Sequence, residues 1–389
     1  GRIIIPLIIL PKLISALGVE NYGIVIFAQT IVFYFLIIIN FGFDMSGTRL
    51  VAMYRTNNSK LAEIVSAILI IKLALFVVSG LAFSLMINMI PQMNKHSLLY
   101  IFSFLFCIQE ILLPIWLFQG LEKMKFITII DLISRMIYLI LVFSFITTAD
   151  DYLLVPIFRF TGVLIAGAIS VYIIITENIK IQYVSIDRLK YYFNDSIPFF
   201  YSKLSTAIND RTNTLLLGIY VGMSAVTYYD FVYKVIGAVN SIFGTIIRVL
   251  YPHISLTKNM KKVKTAFAFN LISSSIAYIL LSIFSAQIIV LIVGENMLPA
   301  QSLFYYLGLT LPLVVIGWSL GDLFLAAFGH SKQYSTSSIY STFIYLIIIG
   351  GLYLSESINV YSLIVALLIR LLFIDIYRYY YCKKFGLFA

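Results

Sequence analysis

The sequence predicts an all-α integral membrane protein, and three observations carry that prediction. The chain is 61% hydrophobic and only 11% charged, against about 25% charged in soluble domains. Its mean hydropathy is +1.00, and no polar stretch is long enough for a separate soluble domain. Apolar runs of about 19 residues or more, enough to cross roughly 30 Å of hydrocarbon, recur from end to end between short clusters of charge, Gly, Pro and Asn.

Taken in order, twelve segments result: 1–16, 23–43, 62–90, 98–120, 127–147, 153–176, 195–217, 225–250, 265–293, 301–328, 336–354 and 360–380. The first begins inside an apolar run at Gly1 and reads as a helix truncated at its N-terminus. No cleavable leader pattern is visible, and none is expected where a first span can direct insertion. The connection 177–194 carries Lys180, Asp187, Arg188 and Lys190. It divides the chain into an N-terminal six-helix lobe, 1–176, and a C-terminal six-helix lobe, 195–389. An even split with both ends on one side is what a parallel duplication produces. The internal similarity is slight: Arg49 and Arg248 each close the second span of a half, followed shortly by Lys60 or Lys258.

Lysine and arginine set the orientation. One set of connections holds Arg49, Arg55, Lys60, Lys123, Lys125, Lys180, Arg188, Lys190, Lys258, Lys261, Lys262, Lys264 and Lys332, joined at the C-terminal end by Arg378, Lys383 and Lys384. The alternate connections hold Lys12 and Lys95. The positive-inside rule makes the basic set cytoplasmic and puts both termini there. The net charge of +10 is therefore a topology signal spread over short loops, and it does not mark a nucleic-acid binder. The tyrosines at 191–192 and 379–381 fit an interfacial aromatic belt.

The informative chemistry lies within the spans. A charge at the bilayer centre costs about 2.5–3.5 kcal/mol on insertion scales, so such groups face a partner or a wet cavity. Lys203, Thr206, Asp210 and Asn213 recur at helical spacing on the seventh span, with Asn209 and Arg211 beside them. On the eighth, Asp230, Lys234, Gly237, Ser241, Thr245 and Arg248 share one face. Arg2, Lys72, Asp131, Arg135 and Arg159 lie in spans of the first half, and Arg370 in the last span. Cations exceed acids, which suits an anionic ligand such as a phosphate or diphosphate. A self-contained reading stands beside this one. Asp230/Lys234 and Asp131/Arg135 have i,i+4 spacing and can each neutralise themselves, and Lys72 and Arg370 can equally be buried packing partners. Lys203 and Arg211 share a single near acid, Asp210, so at least one of them lacks a local partner. Asp210 and Asp230 are the candidates for sensing a coupling ion.

Catalytic and metal signatures do not emerge. The chain has no Gly-rich phosphate loop, HExxH or GxSxG pattern. His96, His253 and His330 are scattered over loops, and Cys107 and Cys382 sit far apart. No enzyme, metal site or cofactor is expected. A transporter is.

Specific stretches point further: LPKLISALGVENYG at 10–23, NFGFDMSGTR at 40–49, LPIWLFQGLEKMK at 113–125, NDR at 209–211, VLYPHIS at 249–255 and VGENMLPA at 293–300. With these the chain resembles the bacterial O-antigen and polysaccharide-repeat flippases of the multidrug/oligosaccharidyl-lipid/polysaccharide exporter superfamily. The resemblance implies twelve transmembrane helices in two six-helix lobes around a central cavity. It implies movement of undecaprenyl-diphosphate-linked oligosaccharide between leaflets of the bacterial inner membrane by alternating access. The implied substrate contacts fall on Arg211, with Arg2, Arg135, Arg159, Lys203 and Lys234 as further cavity cations. The implied company is membrane lipid, a polysaccharide polymerase and a chain-length regulator around a monomer. A multidrug or organic-cation antiporter of the same superfamily is the alternative, and it calls for a cavity dominated by acids.

Overall fold

Seventeen α-helices account for the spans in this computed structural model, which describes residues 4–176 and 180–387. The first unit contains α1 (Ile4–Asn40), α2 (Phe43–Tyr54), α3 (Asn58–Met89), α4 (Pro91–Lys95), α5 (Ser97–Leu105), α6 (Gln109–Leu112), α7 (Ile115–Gly120), α8 (Met124–Phe145) and α9 (Leu154–Thr176). There follow α10 (Ile186–Tyr220), α11 (Met223–Thr257), α12 (Met260–Ile283), α13 (Ser285–Val293), α14 (Gln301–Gly308), α15 (Thr310–Trp318), α16 (Ser331–Leu354) and α17 (Val360–Lys384). Short 3-10 turns occupy Phe106–Ile108, Ala149–Leu153 and Glu295–Ala300, and Ser319–Ala326 is π-helical.

Ten stretches among the described residues are long and apolar enough to cross a membrane. The twelve expected segments map onto them once two details are read. The first stretch holds two segments, because Gly18 turns the chain at φ 77°, ψ 170°, a conformation that only glycine adopts readily. The seventh segment is α10, whose 35 residues are ample in length but carry seven charged side chains. It starts at Ile186, ahead of the expected 195, so much of the central connection is helix; residues 177–179 lie outside those described.

Several spans expected as single rods are broken. The fourth consists of α5, a 3-10 turn, α6 and α7, interrupted at Leu113–Pro114. The ninth breaks at Phe284 between α12 and α13, and the tenth passes through α14, α15 and the π-helical segment. Residues 43–54, expected as the end of a span and a loop, form α2.

Helix starts follow local chemistry. Asn57 caps α3 by accepting from the Lys60 amide (3.0 Å), and Asn259 caps α12 from the Lys262 amide (3.1 Å). The third span of each half thus opens on the same Asn cap with Lys three residues on. Asn359 and Ser362 cap α17 reciprocally. On α3, Leu73, Val77, Leu81 and Leu85 are each more than half exposed. At i,i+4 spacing they form an apolar face that suits lipid, not water.

The chain forms two compact units, residues 1–211 and 212–389, with the division inside α10. In the first unit a core of Phe43, Leu50, Val51, Ile64, Val65, Ile68, Trp116 and Leu117 joins α2, α3 and α7 and reaches Val184 and Tyr192. The start of α10 docks here. Phe41 stacks on Phe193 at 4.2 Å and on Phe200 at 4.6 Å. Gly42, at φ 79°, approaches α10 so closely that an added Cβ would lie 2.7 Å from both the Phe199 Cβ and the Phe200 backbone nitrogen. In the second unit Ile247, Ile254, Val263, Leu320, Leu323, Phe324 and Cys382 form a comparable core.

Candidate functional site

The site of interest in the first unit grows from three helices. α8 contributes Arg135, α9 contributes Arg159 and α10 contributes Arg211. Arg135 and Arg211 lie close enough to Arg159 for their charges to act on it. Each is only partly exposed. Like charges do not gather inside apolar helices without a reason, because each is costly there and they repel.

Their partners differ. Arg135 donates from Nε to Asp131 Oδ1 at 3.0 Å, the expected i,i+4 pair. Arg159 rests its guanidinium over the Phe106 ring, 4.0 Å from the centroid, and Arg211 lies over Phe33 at 4.9 Å. Among the described residues neither has a carboxylate partner or a hydrogen bond. A ring face supports a cation without consuming its N–H donors. Two arginines therefore keep free donor forks next to a third, in a setting of low dielectric. Such forks match the planar, bidentate geometry of phosphate oxygens.

The other expected cations behave differently. Lys203 forms an ion pair with Asp44 of α2, a residue remote in sequence and missed at the sequence level. Lys234 pairs with Asp230 at 2.6 Å, and Asp230 is buried. Asp210 is exposed on α10. On the polar face of the seventh span, Asn213 is buried and donates to the Tyr229 hydroxyl (3.1 Å) and the Leu363 carbonyl (3.3 Å) while accepting from Tyr345. Arg2 lies outside the described residues.

Lys72 is structural in its contacts. It is 1% exposed and donates to the Glu110 carboxylate (2.9 Å) and to the Glu110 carbonyl (3.1 Å). That carbonyl needs an outside donor because the residue four positions on is Pro114, which has no N–H. Asn40 adds a further donor to the carboxylate at 2.7 Å. The Pro114 signal was present in the sequence; the partner was not.

Toward the basic end of this unit, Glu63 accepts from Arg188 (2.7 Å), Lys60 (2.9 Å) and Tyr192 (2.9 Å), and Arg49 pairs with Asp195. Several loop cations that set the topology are thus also clamps. Arg378 departs furthest from its expected place in a cytoplasmic terminus, being 4% exposed within α17.

Comparison with known proteins bears on the family and the fold. The sequence pattern of the polysaccharide biosynthesis protein family matches residues 2–258. A protein of Escherichia coli (strain K12) named for O-antigen transport is 28% identical over 263 residues, covering 67% of this chain and 63% of the relative. One from Shigella dysenteriae, named likewise, is 29% identical over 255 residues, covering 64% and 63%. The match thus spans less than two thirds of the length of either relative. Among solved structures, the lipid II flippase MurJ in an inward closed conformation superposes with a TM-score of 0.74 at 18% identity, covering 98% of this chain and 85% of that one. An inward-facing multidrug resistance MATE family transporter of the MOP superfamily gives 0.71 at 11% identity, covering 99% and 96%. At such identities these two speak for the fold alone. With most of its length matched by the family pattern and a transporter fold throughout, this chain belongs to the polysaccharide biosynthesis protein family.

Proposed function

We propose that the protein moves oligosaccharide units linked to undecaprenyl diphosphate from the cytoplasmic to the periplasmic leaflet of the bacterial inner membrane, by alternating access. The observation that carries this is the gathering of Arg135, Arg159 and Arg211, two of them with no acid or hydrogen-bond partner among the described residues. A glycan's hydroxyls each cost several kcal/mol to bury without partners, so an unassisted crossing is prohibitive. A cationic site within the spans receives the diphosphate while the prenyl tail stays in hydrocarbon. An inside-negative potential, worth about 2.3 kcal/mol per charge per 100 mV, favours outward movement of that anion. The relatives named for O-antigen transport support the same reading.

In this reading both termini are cytoplasmic, the protein acts as a monomer, and a polysaccharide polymerase and chain-length regulator receive its product. Lys203 and Lys234 already hold acids, so they contribute field more than direct contact. Asp210 and Asp230 are the carboxylates through which an antiported ion acts. An organic-cation exporter would place acids where these arginines stand.

The test is surface-glycan assembly together with membrane protein level. Arg159→Ala and Arg211→Ala abolish assembly at normal protein level, and Arg→Lys at either position restores part of it. Full assembly in both alanine variants sinks the proposal. Unchanged transport in a ΔpH or sodium gradient after Asp210→Asn with Asp230→Asn excludes those acids as the coupling site.

A further inference from the structure

A second buried charge cluster lies where α15, α16 and α17 meet. Asp375 is 8% exposed and Arg378 4%, one turn apart on α17. Both carboxylate oxygens of Asp375 are buried, and neither has a hydrogen-bond partner among the described residues. Arg378 meanwhile spends its donors on neutral groups: Nε on Ser337 Oγ (2.9 Å), Nη1 on the Gly317 carbonyl (2.6 Å) and Nη2 on Ser338 Oγ (3.2 Å). The Tyr334 ring lies beneath the guanidinium at 4.6 Å.

An ionised carboxylate with no donor at this depth is strongly disfavoured, and a buried arginine next to it would ordinarily supply one. The arrangement is what a neutral carboxylic acid allows: Arg378 is released to hold a backbone carbonyl. The alternative partner is close. A Cβ on Gly317 would lie 2.9 Å from Asp375 Oδ1 and 3.8 Å from Arg378 Nη1, so both groups sit over the same glycine. Gly317 leads directly into the π-helical segment Ser319–Ala326. π-Helical backbone is rare and occurs mostly at functional sites.

We propose that Asp375 is a proton-binding site whose ionisation draws Arg378 off the Gly317 carbonyl and onto the carboxylate. The step breaks the O–H bond of the acid and delivers the proton to water. One N–H···O=C hydrogen bond is exchanged for an N–H···O⁻ bond. The titratable groups facing the pair are Asp322 on the π-helical segment, Tyr334 on α16 and Cys382 on α17. Arg248 of α11 and Tyr334 both act on Asp322. Arg378 is the one ionisable group that acts on Asp375 among the described residues. The consequence for transport rests on the function proposed above: release of the Gly317 carbonyl loosens the α15 junction, which ties protonation to the conformation of the second unit.

The experiment is pH-difference infrared spectroscopy on the purified full chain in lipid, reading the carboxylic C=O stretch. A protonated-acid band that titrates in the unmodified protein disappears in Asp375→Asn and moves in Asp375→Glu. Retention of every such band in Asp375→Asn overturns the site. Should Asp375→Asn lose its monodisperse profile, the Asp375→Glu band decides: displaced supports the site, undisplaced refutes it. No glycan is needed for this readout. Failure of the unmodified protein to flip labelled lipid-linked glycan in vesicles therefore refutes the transport reading separately. In vesicles that do flip it, a response to ΔpH whose size and pH midpoint are unchanged in Asp375→Asn overturns the coupling.

Discussion

At the residue scale, the lesson of this chain is that local spacing finds only local partners. Asp131/Arg135 and Asp230/Lys234 were legible from i,i+4 spacing and are paired as expected. Lys203 was legible as a cation needing an acid, but Asp44 lies far away in sequence and is brought to it by the packing of α2 on α10. Lys72 illustrates the energetics. Replacing it by Met leaves the Glu110 carbonyl without its side-chain donor and the carboxylate with Asn40 alone, a loss of up to about 3–5 kcal/mol for breaking a buried pair. The expected outcome is a large fall in membrane protein level, measured by quantitative immunoblot, with partial recovery in Lys72→Met/Glu110→Gln. His96, in the connection between α4 and α5, supplies a pH dependence. Its burial, and then the neighbouring Lys95 charge, lower its pKa against an opposing pull from Glu20. The fold therefore favours the neutral ring. Its contribution to stability is complete above the ordinary pKa of 6.5 and is lost as pH falls through the lowered value. Thermal unfolding between pH 7 and pH 5 should flatten in His96→Gln; an identical slope refutes the assignment.

At the element scale, hydropathy reported where spans lie and missed where they break. A window average cannot see Pro114 removing one donor, or Phe41 and Gly42 turning the backbone to positive φ between α1 and α2. The seven charged side chains of α10 lower the same average, although the apolar run 195–217 within it was still legible as a span. The break at Gly42 is testable. A methyl there meets the backbone of α10 at 2.7 Å, so Gly42→Ala should cost about 1–3 kcal/mol from overpacking and ~1 kcal/mol from the left-handed backbone. Gly237 on α11 has open space at its Cβ position. Gly237→Ala should match or exceed the unmodified protein in melting temperature. Equal melting temperatures for the two alanine variants would refute the close approach.

For the whole molecule, composition and Lys/Arg placement were enough to read a multi-pass all-α chain, because the bilayer admits so few backbone solutions. The orientation is open to a direct check. Cys107 and Cys382 are buried, so the unmodified protein should resist a membrane-impermeant maleimide. Asn94→Cys should label in intact spheroplasts and Lys190→Cys only after lysis; the reverse pattern inverts the topology. The Lys72–Glu110 pair also bears on how the chain enters the bilayer. α3 leaves the ribosome before α6, so an ammonium reaches the insertion machinery well ahead of the carboxylate that neutralises it. Its toll, about 2.5–3.5 kcal/mol on insertion scales, is carried meanwhile by the rest of an apolar 32-residue helix. Completion of that hairpin then waits on the emergence of Glu110, and a chain stalled before it would be the form most exposed to membrane quality control.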